Sequence, residues 1–284
     1  LKLATIFYQE TEQAAIVVED GYILIKTINQ YEQTQWPNKT FELITTEMIR
    51  DLISWYEQGG CQKLDRYDKV ESDKAQLAPL YRKPRKIWGV GMNYLDEKPK
   101  HVSTYLDPVS FMKPDTTIIG MDDAVKIPKG STNTTAEAEL AIIIGKRCKE
   151  IDQEEASQYI LGYTLALDMT EADIHAENHR YLTRAKSFDT FFSFGSCLLI
   201  NEVEDVKQLR VATVLNGNVK YEKKVGHMRY DPAYIVAFHS KVMTLLPGDV
   251  ILTGTPGAVV IRDGDVIEAH MTGTKPLVNA VEQL

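Results

Sequence analysis

Glu137 and Glu139 lie two residues apart in the stretch TTAEAELAIIIGKR, residues 134–147, just where a solid apolar run begins. In an extended strand, side chains at i and i+2 point to one face, so the two carboxylates project in parallel. Parallel carboxylates repel, which is costly beside a core unless a cation stands between them. Asp168 ends a second near-continuous apolar run, YILGYTLALD, in a similar setting. Three carboxylates at the ends of buried strands form a hard-oxygen set suited to Mg²⁺, Mn²⁺ or Ca²⁺ rather than Zn²⁺. The same acids also suit strand ends that emerge into water, where carboxylates are common. On these residues by themselves both readings stand.

Lys186 sits inside the apolar and aromatic segment TRAKSFDTFFSFG. Facing a cation pocket it would hold an anionic group or move a proton, with burial and neighbouring carboxylates setting its pKa. On a loop it would snorkel to water. GDVILTGTPG reads as a strand ending in a Gly-Thr-Pro turn. Its free N–H groups around Gly254 and the hydroxyls of Thr253 and Thr255 suit a carboxylate or an oxyanion. The turn lacks the GxxxxGK[ST] spacing of a phosphate loop. HAENH places His175 and His179 at i and i+4, a zinc spacing, but with no third ligand in view the pair reads as a solvated helix face. His227, His239 and His270 have no partner pattern, and His101 belongs to a long polar loop, NYLDEKPKHVSTYLDP, of the kind that forms a lid.

These residues need a scaffold of strands. Residues 1–80 read as a small N-terminal module: LATIFY and AAIVVEDGYILIK are short strands with a tight turn at Asp20-Gly21. TTEMIRDLISWYEQGG has helical spacing and a Gly-Gly stop, and the polar, Pro-punctuated stretch after it reads as a linker. Residues 81–284 are strand-rich, interrupted by two helical patterns, DQEEASQYI with Asp152 as N-cap and DPAYIVAFHSKVM. The expected class is mixed α+β with a dominant sheet system, without repeats or low-complexity tracts.

A chain of 284 residues buries a substantial core, and 44% apolar with 25% charged residues is ordinary for a globular protein. A formal charge of −8 argues against a nucleic-acid partner, which needs a basic face. Cys61, Cys148 and Cys197 have no paired spacing and suit a reducing compartment. No run approaches the ~20 apolar residues of a membrane helix, and Glu10 and Glu12 interrupt any signal-like start. The expected location is cytoplasmic, with no membrane partner.

Taken in order, GVGMNY (89–94), FMKP (111–114), AEAELAIIIGK (136–146), GYTLALDMTEAD (162–173), RAKSFDTF (184–191), LNGNVK (215–220) and MTLLPGDVILTGTP (243–256) resemble the fumarylacetoacetate hydrolase family. The resemblance covers about residues 80–284. It implies a mixed β-roll core, akin to a β-sandwich, behind a small N-terminal α/β domain, and usually a homodimer. It implies one Mg²⁺ or Mn²⁺ held by Glu137, Glu139 and Asp168, with Lys186 in catalysis and Thr255 at the substrate; Gly254, Lys113 and Asn93 are further pocket residues. The reactions implied are C–C hydrolysis, decarboxylation or keto–enol isomerisation of β-diketo, β-keto and 2-oxo acids. In those reactions a Lewis acid stabilises an enolate and a nearby lysine balances charge.

Two departures stand out. Many members read N-Y-x-x-H with a glutamate following, a pair that activates water; here Glu97 takes the histidine position, Lys100 lies near the glutamate position, and His101, four residues late, is the catalytic candidate to stand in for that histidine if the lid is rebuilt. The family's D-x-T-A-R-D arginine is Ala172. The expectation is therefore a metal-dependent enzyme with an altered lid and anchor. The alternative is a non-catalytic relative that binds a metal and an oxo acid as a sensor or regulatory subunit.

Overall fold

The computed structural model describes residues 1–94 and 107–284. The chain opens with β1 (Lys2–Tyr8), β2 (Thr11–Val18), β3 (Gly21–Leu24), α1 (Ile25–Glu32), α2 (Thr40–Thr45) and α3 (Ile49–Glu57). Next come β4 (Ile87–Gly91), β5 (Val109–Lys113) and two long strands, β6 (Thr134–Ile144) and β7 (Ile160–Glu171). The short helices α4 (Ala172–Glu177) and α5 (Leu182–Lys186) lead to β8 (Phe192–Phe194) and β9 (Cys197–Leu199). The remainder is β10 (Arg210–Leu215), β11 (Asn218–Lys224), α6 (Pro232–Val242), β12 (Val250–Leu252), β13 (Ala258–Val260), β14 (Val266–Met271) and β15 (Leu277–Gln283). No helix among the described residues is long and apolar enough to cross a membrane.

The expected α+β class holds, with the elements arranged as two mixed sheets. The larger runs β3-β2-β1-β9-β7-β6-β12-β4-β5, with β8 on β7 and β13 on β6; the smaller runs β11-β10-β14-β15, and residues 125–127 pair with β15. The hairpin foreseen at Asp20-Gly21 joins β2 to β3. Ile25 and Lys26, read as the end of a strand, instead begin α1, because Ile25 and Ile28 are needed on one buried helical face. DQEEASQYI forms a 3₁₀ turn at Gln153–Tyr159, and Asp152 makes no side-chain cap bond. DPAYIVAFHSKVM is helical as expected, with Asp231 accepting from the Tyr234 N–H.

The period of two along β6 and β7 divides their side chains between two faces. Ala136, Ala138 and Leu140, with Leu165, Leu167 and Met169, pack towards Val211, Ile267, Ala269 and Leu277 of the smaller sheet. On the opposite face Ala141, Ile143 and Ala166 join a core with Leu3, Ile16, Ile28, Leu43 and Ile49. The N-terminal segment thus shares both a sheet and a core with the rest of the chain, through β1 against β9. Each Leu or Ile side chain fully buried there contributes about 1.5–3 kcal/mol. The acidic residues lie on this second face, at the end where its apolar lining stops.

Candidate metal centre

The register of β6 against β7 builds the acidic cluster. Glu137 lies directly opposite Asp168, Glu139 opposite Ala166 and Thr135 opposite Thr170. Opposed residues in an antiparallel pair share a face, so Glu137, Glu139, Asp168 and Thr170 all project to one side. One oxygen from each of the three carboxylates lies within 4.8 Å of the others. Asp168 is fully buried, Glu139 is 2% exposed and the Glu137 side chain 18% exposed.

A break in the neighbouring strand gives Glu139 its orientation. β12 pairs with β6 at Ala141–Ile143 and β13 pairs with it at Thr135–Glu137, so Thr253–Gly257 bulge away between them. The backbone groups freed by the bulge find other partners, as buried peptide groups must. The Ala138 N–H donates to Thr213 Oγ1, and the Thr253 N–H and hydroxyl both donate to Leu140 O. The Gly254 N–H turns inward and donates to Glu139 Oε2 at 2.6 Å. Gly254 has φ 98°, and a Cβ there would meet Asn93 Cβ at 2.8 Å, so glycine is required on both counts.

Two lysines converge on Asp168, and one of them reaches Glu137 as well. Lys186 Nζ donates to Asp168 Oδ2 at 2.5 Å, Thr170 Oγ1 at 2.7 Å and Glu137 Oε2 at 3.0 Å. Lys113 Nζ donates to Asp168 Oδ1 at 2.6 Å and Met169 O at 3.2 Å. The Lys186 ammonium also stands 4.5 Å from the centre of the Phe111 ring, a cation–π contact that a desolvated amine strengthens. Gly89 makes room for that ring: a Cβ at Gly89 would lie 2.1 Å from Phe111 Cζ.

Burial and charge pull these groups in different directions. Burial pushes Glu139 well above the ordinary carboxylate range, and repulsion from Asp168 and Glu137 adds to it. Burial raises Asp168 too, but Lys113 and Lys186 outweigh it and hold this carboxyl below its usual value. Burial would lower Lys186, yet Asp168, Glu137 and Glu139 together raise it, so this amine stays protonated. Burial, only partly offset by Asp168, brings Lys113 down to about 8, and Lys186 repels it further.

Three carboxylates brought together on one buried strand face repel one another unless positive charge stands among them. The donors are hard oxygens on two rigid strands, with Glu139 already oriented by a backbone N–H. This set fits a divalent ion such as Mg²⁺ or Mn²⁺.

Other residues singled out from the sequence fall into place around this centre. Asn93 is 1% exposed, and its amide bonds to Thr253 O, Tyr230 O and the Tyr230 N–H, so it fastens the Thr253–Gly257 bulge. Thr255, half-buried, engages Gly257 within its own turn. Glu97, Lys100 and His101 lie outside the described residues. His175 and His179 meet at 3.4 Å on the surface. Among the described residues no metal-ligating cluster includes them. Burial, His179 and Lys186 all lower His175. Phe111 and Thr170 were not foreseen; each lies two residues along a strand from a recognised residue, Lys113 or Asp168, so period-two reasoning could have found both.

Comparison with known proteins finds relatives both in sequence and in fold. A family model described as fumarylacetoacetate (FAA) hydrolase C-terminal matches residues 86–282. The chain is 34% identical over 221 residues to the mitochondrial oxaloacetate tautomerase fahd2 of Xenopus laevis, covering 74% of this chain and 69% of that protein. The fumarylacetoacetate hydrolase of Exiguobacterium antarcticum superposes with a TM-score of 0.84 at 26% identity, covering 100% of this chain and 99% of that one. A maleylpyruvate hydrolase from Sphingobium sp. SYK-6, solved with a manganese(II) ion and pyruvate, gives 0.80 at 26% identity, with the same coverage.

Proposed function

The chain belongs to the fumarylacetoacetate hydrolase family, and on that premise we propose that it is a divalent-metal-dependent enzyme converting a small 2-oxo acid between its keto and enol forms. The observation that carries this reading is the convergence of Glu137, Glu139 and Asp168 with two buried ammonium groups. Glu137, Glu139 and Asp168 would hold a divalent ion, which would supply Lewis acidity to adjacent substrate oxygens.

The protein's own groups complete the arrangement. Lys186, held among the acids by ion pairs to Asp168 and Glu137, offers positive charge to an anionic substrate. Lys113 ties down the other oxygen of Asp168, so that this carboxylate cannot rotate away. The Gly254 N–H holds Glu139 in the same manner. Phe111 shields Lys186 from water, which strengthens its field. Proton transfer is favoured over hydrolysis by the sequence after Asn93-Tyr94, where Glu97 stands at the position of the histidine that resemblance to the family assigns to water activation. The similarity to an oxaloacetate tautomerase supports the same choice.

The test follows enol-to-keto conversion of oxaloacetate with Mn²⁺, alongside acylpyruvate cleavage as the hydrolytic control. The expected result is tautomerisation that falls at least a hundredfold in Lys186→Ala, with no acylpyruvate cleavage. Cleavage at comparable efficiency would make the chain a hydrolase. Tight oxalate binding with no turnover of either compound would make it the non-catalytic binder.

A further inference from the structure

Thr213 of β10 places a fully buried hydroxyl where the smaller sheet packs on β6. The side chains packed together in that contact include Ala136, Ala138, Leu140, Val211, Ile267 and Ala269, all apolar. A hydroxyl taken out of water among such groups is costly unless it is bonded, so its partners show what it does there.

Those partners stand on the two sides of one gap. β12 pairs with β6 over Ala141–Ile143 and β13 over Thr135–Glu137. Between Glu137 and Glu139 the backbone therefore has no ladder partner on that side among the described residues. The Ala138 N–H, midway between the two glutamates, donates to Thr213 Oγ1 at 3.1 Å, and that hydroxyl donates onward to Gly257 O at 3.2 Å. One threonine spans the gap, using its single proton and a lone pair. Thr255 Oγ1 donates to the same carbonyl at 3.2 Å, so the smaller sheet and the Thr253–Gly257 bulge meet on Gly257.

Tyr221 reinforces this junction from the neighbouring strand. It lies opposite Thr213 in the register of β10 and β11, and opposed residues share a face. Its ring rests against Gly257, where a Cβ would come within 2.4 Å of Tyr221 Cγ.

We propose that Thr213 is a positioning residue for the metal centre: by fixing the peptide between Glu137 and Glu139 from the opposite face of β6, it sets the spacing of their carboxylates. The smaller sheet thereby becomes part of the site, although Thr213 acts through Ala138 and Gly257 and not as a ligand. This rests on the reading of the three acids as ligands of a divalent ion. A valine has the same shape but neither accepts nor donates, so it leaves the Ala138 N–H buried without a partner, and the strand shifts to find one. Small divalent ions tolerate little change in ligand geometry.

The test titrates Mn²⁺ by calorimetry into wild type, Thr213→Val, Thr213→Ala and Thr213→Ser, with urea unfolding of each metal-free protein. Folded Thr213→Val and Thr213→Ala are expected to bind Mn²⁺ about tenfold or more weakly than wild type, while Thr213→Ser stays within about threefold of it. The serine and alanine variants lose the same methyl group, so the difference between them reports the hydroxyl. A threonine that only supports the fold would lower metal-free stability in the valine and alanine variants and leave their Mn²⁺ affinity unchanged. That result overturns the proposal, as does Thr213→Ser binding as weakly as Thr213→Ala. Should Thr213→Val fail to fold, Thr213→Ala carries the same comparison; if neither folds while Thr213→Ser does, the hydroxyl holds the fold at large and the proposal is overturned. Wild type that binds no Mn²⁺ overturns the metal-centre reading and this proposal with it, whereas equal affinity in wild type and Thr213→Val overturns this proposal alone.

Discussion

Lys113 and Lys186 both bond to Asp168, yet burial and charge send them in opposite directions. Lys186 faces three carboxylates and is held protonated; Lys113 faces one, and another ammonium besides, and is brought down to about 8. The position of Lys186 depends on Phe111, and that of Phe111 on the bare backbone of Gly89. Gly89→Ala is therefore expected to lower stability by about 1–3 kcal/mol through overpacking, measured by urea unfolding, and to lower turnover with it. Adding Phe111→Leu should recover stability without recovering turnover. Unchanged stability in Gly89→Ala would refute the packing. At this scale the acids and Lys186 were legible in the sequence, because charge inside an apolar run stands out. Phe111 was legible only through its place two residues before Lys113, since an aromatic residue in a strand otherwise looks like any core residue.

At the scale of elements, the long strands β6 and β7 were readable as unbroken apolar runs, but their register was not. The pairing of Glu137 with Asp168 depends on the partner strand, which a local pattern cannot identify. The Thr253–Gly257 bulge was visible as a turn; that its N–H serves Glu139 follows only from β12 and β13 both pairing with β6. The helix α1 escaped notice because the apolar residues just before it read as strand. Its last residue, Glu32, ties the N-terminal helices together by accepting from Lys63 Nζ, Tyr67 OH and Trp55 Nε1. The bonds from Lys63, then Tyr67 and Trp55, lower this carboxyl from 4.5 to about 2. A carboxyl whose folded value is depressed stabilises the fold above its unfolded value and loses that contribution as pH falls towards the folded one. Glu32→Gln should therefore be less stable than wild type at neutral pH, and the difference should close between about pH 4.5 and 2. Urea unfolding of both proteins across that range checks it; a difference independent of pH would show that the charge of Glu32 contributes nothing.

Across the whole molecule, one strand pair serves three purposes: one face of β6 and β7 packs on the smaller sheet, the other closes the N-terminal core, and its end carries the acids. The pattern of strand and helix signals placed the chain among α+β folds, but it could not show that the N-terminal strands continue the main sheet through β9. Because the acids sit on the strand pair that both cores share, occupancy by a cation should stabilise the entire fold. At a free concentration a hundred times its Kd, a ligand bound only by the folded state adds about 2.7 kcal/mol. The most direct measurement is calorimetric titration of Mn²⁺ into wild type and Glu139→Gln, with circular dichroism to confirm that the variant is folded. The account predicts one Mn²⁺ per chain for wild type and at least a hundredfold weaker binding for the folded variant. Equal Mn²⁺ affinity in the two proteins would contradict it.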